Sequence, residues 1–160
     1  MLNVTICCVG KLKENYLRSA CDEYVKRLGA FCKVNILELN EEKLSQKPSD
    51  SEIKAALQAE GKIILSKIPS QCTVIAMCIE GKLMSSEELA ASIDSAALSG
   101  SSNIFFVIGS SFGLSDEVKK ASHIKLSMSR MTFPHQLVRV LLLEQVYRSF
   151  QINSNGKYHK

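Results

Sequence analysis

An α/β architecture, built on a mostly parallel sheet with helices on both faces, follows from two features of this sequence. Short runs rich in β-branched and small apolar residues recur along the chain, each followed by a stretch with apolar residues near helical spacing. Two of the runs, CTVIAMCI and NIFFVIG, are apolar without alternation, the pattern of strands buried on both faces. At 160 residues the chain fits a single domain, residues 1–160, with a core large enough to need no disulfides.

The elements follow in order. Residues 2–9 (LNVTICCV) predict a first strand ending at Gly10; no basic segment precedes it, so it reads as a strand rather than a secretion signal. Residues 14–28 carry Tyr16, Leu17, Tyr24, Val25 and Leu28 near helical spacing, and residues 33–39 form the next strand. A polar loop with Pro48 leads to a helix over residues 51–68, which Pro69 ends. Residues 72–79 are the third strand, stopping at Glu80-Gly81. Ser85 or Ser86 caps a helix to about Leu98, with Glu87 and Glu88 placed where negative charge suits the helix dipole. Residues 103–109 are a fourth strand, Ser115 caps a short helix, and residues 123–128 are a fifth strand. Pro134 then opens a helix from His135 to about Ile152. That last helix is apolar around most of its circumference, which predicts burial on more than one side. Packing against a second subunit would supply this, and so would a central position within the domain.

Composition closes off other classes. Hydrophobic residues make up 46% and charged residues 22%, which excludes a mainly disordered chain. No apolar run is long enough to span a membrane. The net charge of +4 permits an RNA or phosphate partner without demanding one. The six cysteines form no CxxC pair and none stands at zinc-like spacing from a histidine, so no metal site is expected. Four lie in apolar strand runs, where a thiol acts as a small hydrophobe, and reduced thiols point to the cytoplasm.

Three segments could carry chemistry. In FFVIGSSFGLS, Gly109 and Gly113 follow a buried strand, where α/β sheets bind ligands; a βα turn that needs glycine has the same pattern. The segment is neither a GxGxxG fingerprint nor a P-loop. In SMSRMTFPHQLVRVLLLEQVYRSF, a loop runs into a helix whose first N–H groups can hold a polar ligand. His135 and Arg139 share a face there, as site or as scaffold, and Glu144 and Arg148 repeat the spacing as a structural ion pair would. In NSNGKYHK, Tyr158 could stack on a base, Lys157 and Lys160 could meet phosphate and His159 could move a proton. A frayed end has the same composition.

IGSSFGLS, MTFPHQLVRVLLLEQVYRSF and GKYHK, in this order, resemble the small trefoil-knot (SPOUT) methyltransferases, within them those that modify N3 of a pseudouridine in large-subunit (23S-type) ribosomal RNA. The resemblance spans the whole chain. It implies a five- to six-stranded sheet with a C-terminal trefoil knot, the knot and donor site falling within about residues 72–155. It implies S-adenosylmethionine as methyl donor, held largely by backbone groups around Met77, Gly109 and the loop Met128, Ser129, Arg130, Met131, Thr132 and Phe133. It also implies a homodimer whose sites are completed by the partner subunit, and a ribosomal substrate, the large subunit or the assembled 70S particle. On that basis Arg139 is expected to make an electrostatic or phosphate contact, Tyr158 and His159 to position the target base, and His135 or His159 to act as general base. Further basic residues for RNA are Lys11, Lys13, Arg18, Lys26, Arg27 and Arg130.

The family usually has Gly-Gly where this chain has Ser110-Ser111 after Gly109. Cys78 and Glu80 stand where a more polar or Pro-containing turn is common. A positive φ at Ser110 would strain the loop by about 1 kcal/mol or more. An RNA-binding or ribosome-assembly module of the same fold that has lost S-adenosylmethionine is therefore the alternative, and methylation of a different nucleobase is another.

Overall fold

Two sets of side chains alternate along the central strands and bury against different helices. The computed structural model describes residues 1–160. Its strands are β1 (Asn3–Val9), β2 (Lys33–Leu39), β3 (Cys72–Leu83), β4 (Asn103–Ile108) and β5 (Ile124–Ser127). The helices are α1 (Asn15–Leu28), α2 (Asp50–Lys67), α3 (Ser86–Leu98), α4 (Asp116–Ala121) and α5 (His135–Asn153). The five strands form one sheet in the order β2-β1-β4-β3-β5, every neighbouring pair parallel.

Val4, Ile6 and Cys8 of β1, with Ile104, Phe106 and Ile108 of β4, pack on Leu17 and Leu28 of α1, Leu89 and Ile93 of α3, and Leu142, Leu143 and Val146 of α5. The intervening Cys7, Val9, Phe105 and Val107 point the other way, onto Ile64 of α2 and Val118 of α4. Continuous apolar strands are the consequence, because each central strand must cover two cores. All six cysteines are free thiols. Burial pushes Cys7 and Cys8 up to about 12, so these are packing residues rather than nucleophiles.

The helix starts follow local chemistry. Ser49 and Ser85 each form a capping box, with Glu52 and Glu88 respectively, and Ser115 accepts the Val118 amide at 3.3 Å. α2 therefore starts at Asp50, one residue before the expected position, because Ser49 is its cap. β4 ends at Ile108 and β5 spans only Ile124–Ser127, each shorter than expected.

β3 departs most from expectation. It does not stop at Glu80-Gly81 but continues to Leu83. Met77 and then Lys82 both pair with Leu126, so residues 78–81 bulge out of register. Gly81 lies so close to β5 that an added Cβ would stand 2.8 Å from the carbonyl carbons of Lys125 and Leu126.

α5 lies against both α1 and α3 as well as the sheet. This central position accounts for much of its apolar circumference within one protomer. Leu137 stays exposed, and Val138, Val140 and Leu141 are half-buried.

Candidate functional site

The carboxyl ends of β3, β4 and β5 open into one cleft of about 630 Å³, a size and position usual for small-molecule sites in α/β proteins. Of the expected donor-binding residues, Met77, Gly109, Met128, Ser129, Met131, Thr132 and Phe133 line it; Arg130 is exposed and does not. His135, the first residue of α5, also lines it.

The β4–α4 wall is a tight turn. The Gly113 amide donates to the Ser110 carbonyl at 2.9 Å. The positive φ in this turn falls on Gly113, at +92°, and Ser110 is not among the positive-φ residues. The strain considered for Ser110 therefore does not arise. Gly109 is held to glycine by the loop itself, because a Cβ there would land on the Gly113 carbonyl, 2.6 Å from its carbon. The opposite wall is shaped by hydroxyls: Ser127 donates to the Ser129 carbonyl, and Ser129 Oγ accepts the Met131 amide, both at 3.0 Å.

Apolar side chains such as Met77, Ile108, Leu126, Phe133 and Val138 dominate the interior. Phe112, Ile79 and Met131 make an exposed apolar rim. Glu80, from the bulge of β3, and Lys119, from α4, form an ion pair in the lining. The hydrogen bond from Lys119 holds the Glu80 carboxyl below its ordinary range, and Glu80 in turn raises Lys119.

The other expected site residues lie elsewhere. Arg139 is buried outside the lining. Its Nη1 donates to Glu38 Oε2 at 2.7 Å and its Nη2 to the Gly10 carbonyl at 3.2 Å, while Nε has no partner. Glu38 also accepts the Leu12 amide at 3.1 Å. Burial would raise the Glu38 carboxyl, but the Arg139 hydrogen bond, the Leu12 amide and the nearby guanidinium charges outweigh it and hold it below the usual range. The expected phosphate contact is thus replaced by an internal one. At 3% exposure this guanidinium is turned inward, tying α5 to Glu38 of β2 and to the Gly10 carbonyl of the β1–α1 loop.

The tail is docked, not frayed. Tyr158 Oη donates to Glu144 Oε2 at 2.8 Å, and its ring meets Tyr147 edge-on with centroids 4.9 Å apart. The Arg148 guanidinium lies 4.8 Å over the same ring and pairs with Glu144. His159 lies between Arg148, 3.1 Å from Nδ1, and Glu87 of α3, 2.7 Å from Nε2. Burial opposes ionisation of Glu144, yet hydrogen bonds from Tyr24, Arg148 and Tyr158 keep its carboxyl below the ordinary range. The structure thus places His135 at the cleft and leaves Tyr158 and His159 outside its lining, against Glu144 and Arg148 of α5 and Glu87 of α3.

The family model described as "Predicted SPOUT methyltransferase" matches residues 2–159. The chain belongs to the SPOUT methyltransferase family. Its curated relatives include the ribosomal RNA large subunit methyltransferase H of Clostridium novyi, 53% identical, and that of Clostridium acetobutylicum, 52% identical. Both alignments run over 159 residues, covering 99% of this chain and 100% of the relative. Among solved structures, "a probable methylase family protein" from Haemophilus influenzae superposes with a TM-score of 0.58 at 15% identity. That match covers 98% of this chain and 70% of the other, and it shows a shared fold.

Within this SPOUT chain, reading the sequence missed two pairs. Glu80 and Lys119 had a faint signal, since Glu80 stands where the third strand was expected to stop and Lys119 lies in the helix after β4. Glu38 and Arg139, 101 residues apart, had none. No helix is long and apolar enough to cross a membrane.

Proposed function

We propose that this protein methylates N3 of a pseudouridine in large-subunit ribosomal RNA, taking the methyl group from S-adenosylmethionine. One observation carries the reading. Segments from β3, β4 and the β5–α5 loop converge on a single cleft, in a chain more than half identical over its length to proteins named for methylating that RNA. The lining suits the donor: apolar walls would pack an adenine, and main-chain groups at Gly109 and in the 128–133 loop would read its edges. Bound there, the donor supplies an electrophilic methyl group.

The protein's own task is then orientation and proton removal. The N3–H of pseudouridine is a weakly acidic imide, so its proton must leave before or during transfer. His135 lines the cleft at the start of α5, and we assign it as the general base for that proton. The apolar walls exclude water from the methyl path and hold nucleophile and donor in line. Arg139 positions rather than reacts, because its hydrogen bond to the Gly10 carbonyl, with that of the Lys13 amide to Gln136, holds the loop that carries Lys11 and Lys13 beside the start of α5.

The working unit we propose is a homodimer. The apolar rim of Phe112, Ile79 and Met131, with Leu137 of α5 exposed close by in sequence, supports a partner packing over the cleft mouth. Tyr158 and His159, held outside their own protomer's cleft, would then position the target base in the partner's site. In this reading the segment after β4 is threaded as a trefoil knot, and the enzyme works in the cytoplasm on assembled ribosomes. The donor-deficient alternative loses its motive, since Ser110 avoids positive φ.

The test is methyl transfer from labelled S-adenosylmethionine to assembled ribosomes and to naked ribosomal RNA, followed by mass mapping of the product. N3-methylpseudouridine in large-subunit RNA, formed preferentially on ribosomes, is expected. Label on another nucleobase, or no label on either substrate, refutes the proposal.

A further inference from the structure

The cleft lining carries only two charged side chains of the Asp, Glu, Lys and Arg types, and they are paired with each other: Glu80 and Lys119. Everything around them is apolar, hydroxylic or main chain, apart from the Cys78 thiol and the His135 imidazole. Stability does not explain the pair. Glu80 keeps 57% of its side-chain exposure, and ion pairs that open to water contribute little. Its placement is nevertheless firm. Glu80 sits on the bulge of β3, next to Gly81, whose contact with the β5 backbone leaves no room for a side chain. Lys119 follows the Ser115 cap by one turn of α4, directly after the glycine loop that forms the other wall. Two further charges lie nearby, with Lys125 adding to the pull on Glu80 and Asp116 to that on Lys119.

A ligand matched to such a pair is a small zwitterion attached to an apolar body. The amino acid end of S-adenosylmethionine carries an α-ammonium and an α-carboxylate on one carbon. We propose that Glu80 and Lys119 form the subsite for this end, the carboxylate docking on Lys119 and the ammonium on Glu80. The inference rests on the reading of the cleft as the donor site. Binding exchanges one ion pair for two, so Glu80, Lys119 and both charges of the amino acid end each keep a counter-charge, while the sulfonium sits among the apolar walls. The adenosine portion stays with the apolar walls and the main chain. The product S-adenosylhomocysteine keeps the same amino acid end and so uses the same pair.

Calorimetric titration of the full-length protein separates this subsite from the rest of the cleft. The three probes are S-adenosylmethionine, S-adenosylhomocysteine and 5′-methylthioadenosine, which lacks the amino acid end. Lys119→Ala is expected to weaken the first two by about ten- to hundredfold and to leave 5′-methylthioadenosine within about threefold, the size of a lost charge-assisted contact. Glu80→Gln should show the same selectivity at about tenfold, and Lys119→Arg should recover most of the affinity. Unchanged binding of 5′-methylthioadenosine also reports that the variant is folded. Equal weakening of all three probes by Lys119→Ala would show that the pair only shapes the cleft, and no weakening would show that it faces something else; either overturns the subsite alone. A wild-type protein that binds none of the three refutes the cofactor reading, and the subsite with it.

Discussion

Replacing Arg139 by methionine tests whether its guanidinium is a buried anchor or an RNA contact. The change keeps an apolar side chain in the cavity and deletes both the 2.7 Å bond to Glu38 and the 3.2 Å bond to the Gly10 carbonyl. Removing one partner of a fully buried ion pair costs about 3–5 kcal/mol. Glu38 keeps 32% exposure and retains the Leu12 amide, so water and one donor still serve its carboxylate. The expected loss is therefore about 2–3 kcal/mol, a fall in Tm of about 4–12 °C for a chain this size. The chain has no tryptophan, so urea unfolding is best followed by far-UV circular dichroism. The effect should also depend on pH. Glu38 titrates below its ordinary value when folded, so its contribution is complete above about pH 4.5 and fades as pH drops through the lower folded value. The gap between wild type and variant should be constant near neutral pH and narrow as the pH falls below about 4.5. Glu38→Gln combined with Arg139→Met should cost less than the two single changes summed, since both remove the same pair. A variant as stable as wild type at pH 7 that binds ribosomes with a smaller salt dependence would refute the anchor and restore the phosphate contact.

Three other changes probe the cleft and the tail. Gly109→Ala forces the turn at Gly113 to move and should weaken S-adenosylmethionine by about tenfold or more in calorimetry; unchanged affinity would remove this turn from the site. His135→Ala should slow methyl transfer by about 10²–10⁴-fold with S-adenosylhomocysteine affinity little altered, whereas equal losses in both would argue for a structural role. His159→Ala should likewise lower methyl transfer far more than donor binding if the tail positions the base, and an unaffected rate would count against that. Tyr158→Phe removes the hydrogen bond to Glu144 and should destabilise the fold by about 1 kcal/mol in urea unfolding, with no loss indicating that the tail leaves this position in solution.

Much of the scaffold was legible because its signals are local. Apolar runs at β1, β3 and β4 and serine caps at Ser85 and Ser115 act within a few residues, and the structure follows them. Pro134 marked the start of α5 because it sits immediately before the first helical residue. What stayed hidden depends on partners distant in the chain. β3 runs past Gly81 only because β5, more than 40 residues later, pairs with it on both sides of a bulge. The Arg139–Glu38 pair joins α5 to β2, so the guanidinium expected to make an electrostatic or phosphate contact is engaged within the protomer. The tail looked like a frayed end because its stabilising groups, Glu144, Arg148 and Glu87, belong to two helices whose meeting no periodicity reveals. At the cleft the loop segments were legible through the family resemblance, whereas Glu80 and Lys119 needed the geometry.

The strand order also bears on how the chain is made. β1 pairs with β2 on one side but finds β4 on the other, Asn3 meeting Asn103. On a translating ribosome 64 residues separate Leu39 from Asn103, so the inner edge of β1 waits unpaired for about 3–13 s at ordinary elongation rates of about 5–20 residues per second. That edge exposes unpaired backbone groups on a strand rich in apolar side chains, Cys7 and Cys8 among them, which the finished sheet buries. Birth rather than native life is its vulnerable period, when a holdase and a reducing milieu matter most for yield.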